Sequence, residues 1–245
     1  MLTNNWQLTQ PIDAIMFDCD GTLSAIEGID VLAAQNGVGD EVKRLTTIAM
    51  EQSGINVSLY QQRLNLVRPT QSQVVELGQH YLRHQTPDVN HVINLLQRLN
   101  KKIYLVSAGL YPAVAIFGGA LQIPQENIFA VDIQFDQHGH YANFDEASPL
   151  VGNRGKRDIV KKLKALHPHI VHIGDGLNDI VVSDMVTRFI GYGGVFYREN
   201  IAKACDFYIK TSSMAGILPL VLTQRERDCL KADELALYES GCVSI

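Results

Sequence analysis

The chain has 245 residues, 46% of them hydrophobic, enough to bury a sizeable core as one large domain or as a main domain with a smaller insertion. Its formal charge of -5, from 21 basic and 26 acidic residues, lacks the basic excess that phosphate-backbone binding draws on, which excludes nucleic acid as a default partner. No window reaches the roughly 18 to 20 apolar residues of a membrane span, the N-terminus lacks a secretory pattern, and Cys19, Cys205, Cys229 and Cys242 show no CxxC or His-paired metal spacing, so a cytoplasmic chain with free thiols is expected.

From the N-terminus, AIMF is a short apolar run that reads as a strand and ends directly in Asp18-Cys19-Asp20-Gly21-Thr22. Strand alternation turns Asp18 and Asp20 to one side and Cys19 to the other. Gly21 permits a sharp exit, and Thr22 offers a hydroxyl to lock the turn. Carboxylates beside a core are costly unless a cation or hydrogen bonds compensate them, so this pair calls for partners. From Ile26 to Gln85 the chain reads as successive helices broken at NGVGD, SGIN and RPT, with no convincing strand. A crossover needs far less, and the surplus predicts a helical cap, 26–85, over the strand ends.

TPDVNHVINLLQRLNKK predicts a helix with Thr86 as N-cap, Pro87 in the first turn, and Val89, Val92, Ile93, Leu96 and Leu99 on one face. It leads into the strand KKIYLV, which ends at Ser107. IFAVDIQFDQHGHYANF alternates about Gln137-His138-Gly139 and predicts an inserted β-hairpin. GKRDIV opens a helix with Lys156 at its start, HIVHI is a strand running into GDGLND, and RFIGY is a further strand. Residues 223–245 are charged and weakly periodic, reading as a loose helix or tail. Its last four residues, Cys242-Val243-Ser244-Ile245, place a cysteine as a prenylation box does, but without the aliphatic pattern or a basic run before it.

Strands alternating with helices predict an α/β fold: an open parallel, Rossmann-like sheet from 1–25 and 86–222, with the helical cap and the hairpin as insertions. Ligands in such sheets lie beyond the carboxyl ends of the strands, which gathers Asp18, Asp20, Ser107, Lys156, Asp175 and Asp179. Several carboxylates in one pocket call for a cation, and oxygen ligation beside a phosphate suits Mg²⁺. Lys156, Ser107 and nearby amides suit phosphate oxygens. Of two neighbouring acids, one can attack phosphorus while the other protonates the leaving oxygen and then deprotonates water. Each piece alone has an ordinary role, as a solvated turn, a loop serine or a helix-start lysine. Together, in this order at the ends of predicted elements, they point to chemistry.

DCDGTL, LVSAG, GKRDIV and GDGLND resemble the four motifs of the haloacid dehalogenase superfamily of phosphohydrolases, over about Ile12 to Leu222, and most resemble its phosphoserine phosphatase family. The resemblance implies Asp18 as nucleophile, Asp20 as general acid and base, and Ser107 and Lys156 as phosphate ligands. It implies Mg²⁺ held by Asp18, Asp175 and the main-chain carbonyl of Asp20, with Asp179 as a supporting acid. IEGIDVLA and YQQRLNLVRP resemble the segments that supply a Glu and an Arg to the amino acid, placing Glu27 at an ammonium group and Arg63 at a carboxylate. Met50, Ala108, Gly109 and Asn178 complete the implied substrate-binding set.

The implied reaction is Mg²⁺-dependent hydrolysis of a small phosphorylated amino acid, O-phospho-L-serine, through an aspartyl-phosphate. The chain departs from the family at Glu51 and Gln52, where small glycines are usual, near Asn56, where an aromatic is usual, and at Ala108, where glycine is frequent. These positions leave open another amine-bearing phosphate ester, or transfer to an alcohol such as homoserine. A receiver-like signalling domain also combines acids, a hydroxyl and Lys on a parallel sheet, but the helical insertion and the second acid of the pair argue against it. The complete set of four motifs argues against a non-catalytic adaptor.

Overall fold

The computed structural model describes residues 6–48 and 54–242, which places Met50, Glu51 and Gln52 and the last three residues outside the described part. In chain order the first half contains β1 (Ala14–Phe17), α1 (Gly28–Gln35), α2 (Gly39–Ile48), α3 (Val57–Val67), α4 (Gln71–Arg83), α5 (Val89–Arg98), β2 (Lys102–Leu110) and α6 (Tyr111–Ala120). The second half contains β3 (Ile128–Val131), β4 (Ile133–Phe135), β5 (Tyr141–Phe144), α7 (Gly155–Lys164), β6 (Ile170–Gly174), α8 (Leu177–Ile180), β7 (Arg188–Tyr192), α9 (Glu199–Ala204), β8 (Phe207–Ile209), α10 (Leu218–Val221), α11 (Gln224–Arg227) and α12 (Ala232–Cys242).

The six-stranded sheet has the order β3-β2-β1-β6-β7-β8, and its strand pairs are all parallel. β1 lies between β2 and β6, which explains why Ala14, Ile15, Met16 and Phe17 are all apolar: a parallel strand with helices on both faces has no solvent side. The chain builds outward from β1 first to β2 and β3, then to β6, β7 and β8. The crevice therefore opens at the carboxyl end of β1, flanked by the ends of β2 and β6. β2 departs from regular pairing between Val106 and Leu110, a bulge containing Ser107, Ala108 and Gly109 that re-aims these residues away from the ladder.

Three details differ from the sequence expectation. Thr86 does not cap α5, which starts at Val89 behind Asp88 in a left-handed conformation (φ 65). The Thr86 hydroxyl instead donates to the Thr22 carbonyl at 2.6 Å and its amide to the Leu23 carbonyl at 2.9 Å, tying the entry of α5 to the exit of β1. Thr22 thus contributes its carbonyl to the turn, while its own buried hydroxyl has no partner among the described residues. The run IFAVDIQF is also not one hairpin strand. IFAV pairs with β2 as the sheet edge β3, and only β4 and β5 form the antiparallel pair about Gln137-His138-Gly139.

Residues 224–242 are packed rather than loose. Tyr238 is buried, Arg98 pairs with Glu234, and the buried Lys101 reaches Glu226 at 2.6 Å and the Ile12 carbonyl at 3.2 Å. α12 approaches the Met214–Ile217 turn so closely that a Cβ at Gly241 would stand 2.1 Å from the Ala215 carbonyl oxygen. Two of its charges, Glu226 and Glu234, fasten this segment to α5 and its C-terminal turn. Among the described residues no helix is long and apolar enough to cross a membrane.

Thr86→Val keeps the shape but leaves the buried Thr22 carbonyl without this donor. The expected cost is about 1–3 kcal/mol in urea unfolding, and an unchanged midpoint would show that the Thr86 to Thr22 stitch carries no stability.

Candidate active site

At the exit of β1 the backbone turns at once, and Gly21 makes the turn possible twice over. Its φ of +67 suits glycine, and a Cβ there would stand 2.5 Å from Asp175 Oδ2. Asp18 and Asp20 both line one cavity, while Cys19 is buried in the hydrophobic core. Glu27, Arg63, Ser107, Ala108, Gly109 and Asn178 line the same cavity, between apolar walls from Ile29, Ile55, Leu64, Leu77 and Leu110. The predicted residues from four separate stretches of chain therefore converge.

Beneath this cavity lies a buried charge cluster. Lys156, at the start of α7, donates to Asp18 Oδ1 at 2.7 Å and to Asp179 Oδ1 at 2.5 Å. Burial opposes the ammonium, but Asp179 and Asp18 together hold the Lys156 pKa above the ordinary lysine range. Asp18 is driven the other way from a useful anion: burial, then the charge of Asp179, push its carboxyl well above the usual carboxylate range, with Lys156 opposing. Asp179 is also buried, yet Lys156 and His172 outweigh burial and pull it down to about 2. Both of its oxygens are engaged, Oδ1 by Lys156 and by His172 Nε2 at 2.7 Å, and Oδ2 by the Gly176 amide at 3.0 Å.

Asp175, at the carboxyl end of β6, takes two hydrogen bonds on Oδ2 from Arg198, from Nε at 3.1 Å and Nη2 at 2.9 Å. Burial raises it to about 6 against that guanidinium. Asp18, Asp175 and Asp179 each offer an oxygen within 4.8 Å of one another, a group able to hold a metal ion. The donor set is all oxygen and buried, which fits a small hard divalent cation. Asp179 has both oxygens already engaged by its neighbours.

Asp20 has different surroundings. Its Oδ1 accepts from the Gly28 amide at 2.6 Å and the Tyr81 hydroxyl at 2.8 Å, and its Oδ2 from Ser107 at 3.4 Å. Burial raises its pKa while these donors oppose the rise, so the two acids of the motif are set up for separate behaviour. In the β2 bulge, Ser107 Oγ accepts from the Gly109 amide at 2.8 Å, and the Ala108 carbonyl accepts from Tyr60 at 2.9 Å.

Toward the inserted helices, Glu27 precedes α1 without capping it through its side chain and meets Arg198 Nη2 at 3.2 Å. Burial, then the charges of Asp175 and Asp20, raise its pKa well above the glutamate range. Arg63 on α3 is 4% exposed, stands over the Tyr60 ring, and has an Nε without a partner among the described residues. Asn178 Oδ1 is likewise buried without a partner among them. Asn56, one of the departures noted in the sequence, accepts from the Leu59 amide at 2.9 Å as the N-cap of α3. Ile55 and Tyr60 supply the cavity wall on either side of it.

Sequence reasoning missed Arg198, His172, Tyr60 and Tyr81. Arg198 lies in the loop after the carboxyl end of β7, and that strand-end position is the signal for it. His172 is one residue in an otherwise apolar strand, and the two tyrosines look like core aromatics on helices.

The haloacid dehalogenase-like hydrolase family model matches residues 12–182. The chain is 36% identical over 199 residues to the phosphoserine phosphatase of Bos taurus, covering 80% of this chain and 88% of the relative. It is 35% identical over 199 residues to that of Homo sapiens, with the same coverage. A solved structure described as a phospho-aspartyl intermediate analogue of phosphoserine phosphatase superposes with a TM-score of 0.77 at 23% identity, covering 87% of this chain and 100% of that chain, a likeness of fold.

Lys156→Met removes the ammonium that Asp18 and Asp179 share and leaves buried acids uncompensated. In magnesium-free buffer it is expected to lower unfolding stability by about 3–5 kcal/mol, and unchanged stability would show that this lysine is not the structural counter-charge.

Proposed function

We propose a function from one premise: the chain belongs to the haloacid dehalogenase-like hydrolase family, in its phosphoserine phosphatase branch. It is a phosphoric monoester hydrolase, and its substrate in this reading is O-phospho-L-serine, converted with water to L-serine and phosphate. One observation carries the choice of substrate. The same cavity has the Asp18 and Asp20 pair at one side and, in its wall, the buried Arg63 guanidinium with an Nε free of partners among the described residues. A zwitterionic phosphate ester supplies what both ends need, a phosphorus for the acids and a carboxylate for the arginine.

Asp18 attacks phosphorus in line, forming an aspartyl-phosphate as the bond to the seryl oxygen breaks. Asp20 gives its proton to that oxygen, then takes one from the water that hydrolyses the acyl phosphate. Lys156 and Ser107 hold phosphate oxygens, and the short Lys156 to Asp18 contact aims the attacking carboxyl group and opposes the rise in its pKa that burial causes. Asp18, Asp175 and the main-chain carbonyl of Asp20 would hold Mg²⁺, with Asp179 fixing Lys156 beside them. The cation, when bound, supplies positive charge that lowers the Asp18 pKa and neutralises the phosphoryl group.

Residues 26–85 act as a cap over a core made of 1–25 and 86–222. Glu27 takes the ammonium group, with Arg198 holding its other side, while Arg63 takes the carboxylate. Met50, Ala108, Gly109 and Asn178 complete the substrate contacts, Met50 lying outside the described residues. Closing the apolar walls over the ester excludes bulk water until the phosphoenzyme has formed. A cytoplasmic location belongs to the same reading and is supported by cysteines spaced without a disulfide or metal pattern.

With Mg²⁺, the purified protein is expected to prefer phosphoserine over phosphothreonine, phosphoethanolamine and a nucleotide. Asp18→Asn should abolish turnover in a folded protein, and Arg63→Ala should raise the phosphoserine KM far more than that of a neutral aryl phosphate. A preference for another ester, or a phosphorylated alcohol formed when homoserine is added, would replace this substrate assignment.

A further inference from the structure

The two oxygens of Asp20 are held unequally. Oδ1 accepts both short bonds, 2.6 Å from the Gly28 amide and 2.8 Å from the Tyr81 hydroxyl. Among the described residues Oδ2 has only the 3.4 Å contact from Ser107, and it lies on the Ser107–Gly109 side, 3.1 Å from where a Cβ on Gly109 would stand. A carboxyl group whose one oxygen is saturated by fixed donors keeps the other for the proton it transfers.

Tyr81 is built into this arrangement. The side chain is completely buried on α4, with its ring 5.7 Å from that of Phe117 on α6. A phenol buried so deeply is costly unless its hydroxyl is hydrogen-bonded, and Asp20 Oδ1 is the acceptor it has. Gly28 is its counterpart: a Cβ there would stand 2.1 Å from the Tyr81 hydroxyl oxygen and 2.9 Å from Cζ. Only a residue without a side chain lets the first amide of α1 and the phenol of α4 converge on one oxygen. Both donors come from the helices inserted between β1 and α5, so the sheet places the Asp20 backbone and the insertion orients its carboxyl group.

We propose that Tyr81 is a positioning residue for phosphoryl transfer: with Gly28 it pins Asp20 Oδ1, leaving Oδ2 turned toward the leaving oxygen of the substrate. This rests on the reading of Asp20 as the proton carrier. In the step concerned, the phosphorus to seryl-oxygen bond breaks as the Asp18 oxygen to phosphorus bond forms, and the Asp20 proton moves from Oδ2 to the seryl oxygen. An ester whose leaving group needs no proton should not depend on this alignment.

The test compares phosphoserine with acetyl phosphate, a small substrate with an acetate leaving group, through kcat/KM, which covers the steps up to phosphoenzyme formation. Tyr81→Phe keeps the ring and is expected to lower kcat/KM for phosphoserine by about 10- to 100-fold, acting mainly through kcat, and that for acetyl phosphate by less than about 3-fold. Equal losses on both substrates, or no loss, in a variant that melts as a folded protein would overturn the proposal. Asp20→Asn measured in parallel separates the two readings. If it retains phosphoserine turnover, the proton-carrier role falls and this proposal with it; if it is inactive while Tyr81→Phe is unaffected, only the proposal falls. Gly28→Ala is a second route, because its methyl group displaces the phenol. It should reproduce the substrate-dependent loss, and a folded Gly28→Ala variant that loses activity equally on both substrates would contradict the shared action on Oδ1.

Discussion

Everything at this site follows from burying carboxylates at the end of a strand that has no solvent side. Asp18, Asp175 and Asp179 are each 5% exposed or less, and such groups persist as anions only with partners at short range. The fold meets that constraint by bringing one partner from each neighbouring element: Lys156 from α7 to Asp18 and Asp179, His172 from β6 to Asp179, and Arg198 from the loop after β7 to Asp175. The unequal sharing gives each acid its own character. Asp179, saturated, is pulled down to about 2; Asp18, with one lysine contact and two acidic neighbours, is pushed up. Asp18 is thus compensated less by the protein than Asp179 is.

The helices between β1 and α5 do more than cover this cluster. Their side chains reach into the sheet-borne loops at defined atoms, Tyr81 to Asp20, Tyr60 to the Ala108 carbonyl, and Glu27 to Arg198. Each contact joins a residue of the inserted segment to one of the strand ends. The insertion and the sheet therefore share responsibility for one geometry, and the cavity between them sets Asp18, Asp20, Glu27, Arg63, Ser107 and Asn178 among apolar walls.

Much of this was legible in the sequence because strand ends leave a signature. AIMF, KKIYLV, HIVHI and RFIGY each became a strand of the parallel sheet, and the polar residues that follow them converge as α/β topology requires. What could not be read are interactions between distant side chains whose local pattern looks ordinary. Thr86 has the residue type and position of an N-cap, but its hydroxyl goes to Thr22 across 64 residues of sequence. Tyr81 looks like any buried helix aromatic, and IFAV alternates like the hairpin strand it adjoins while pairing with β2. Asn56, odd against the family pattern, is accounted for locally as a helix cap.

A divalent cation that Asp175 helps to hold would complete the acid cluster at the end of β1. Calorimetric titration of Mg²⁺ into the protein near neutral pH tests it most directly, with Asp175→Asn as the comparison. Saturable binding at a single site, lost in a folded Asp175→Asn variant, is expected; no binding, or binding of equal strength in that variant, would contradict a cation held there.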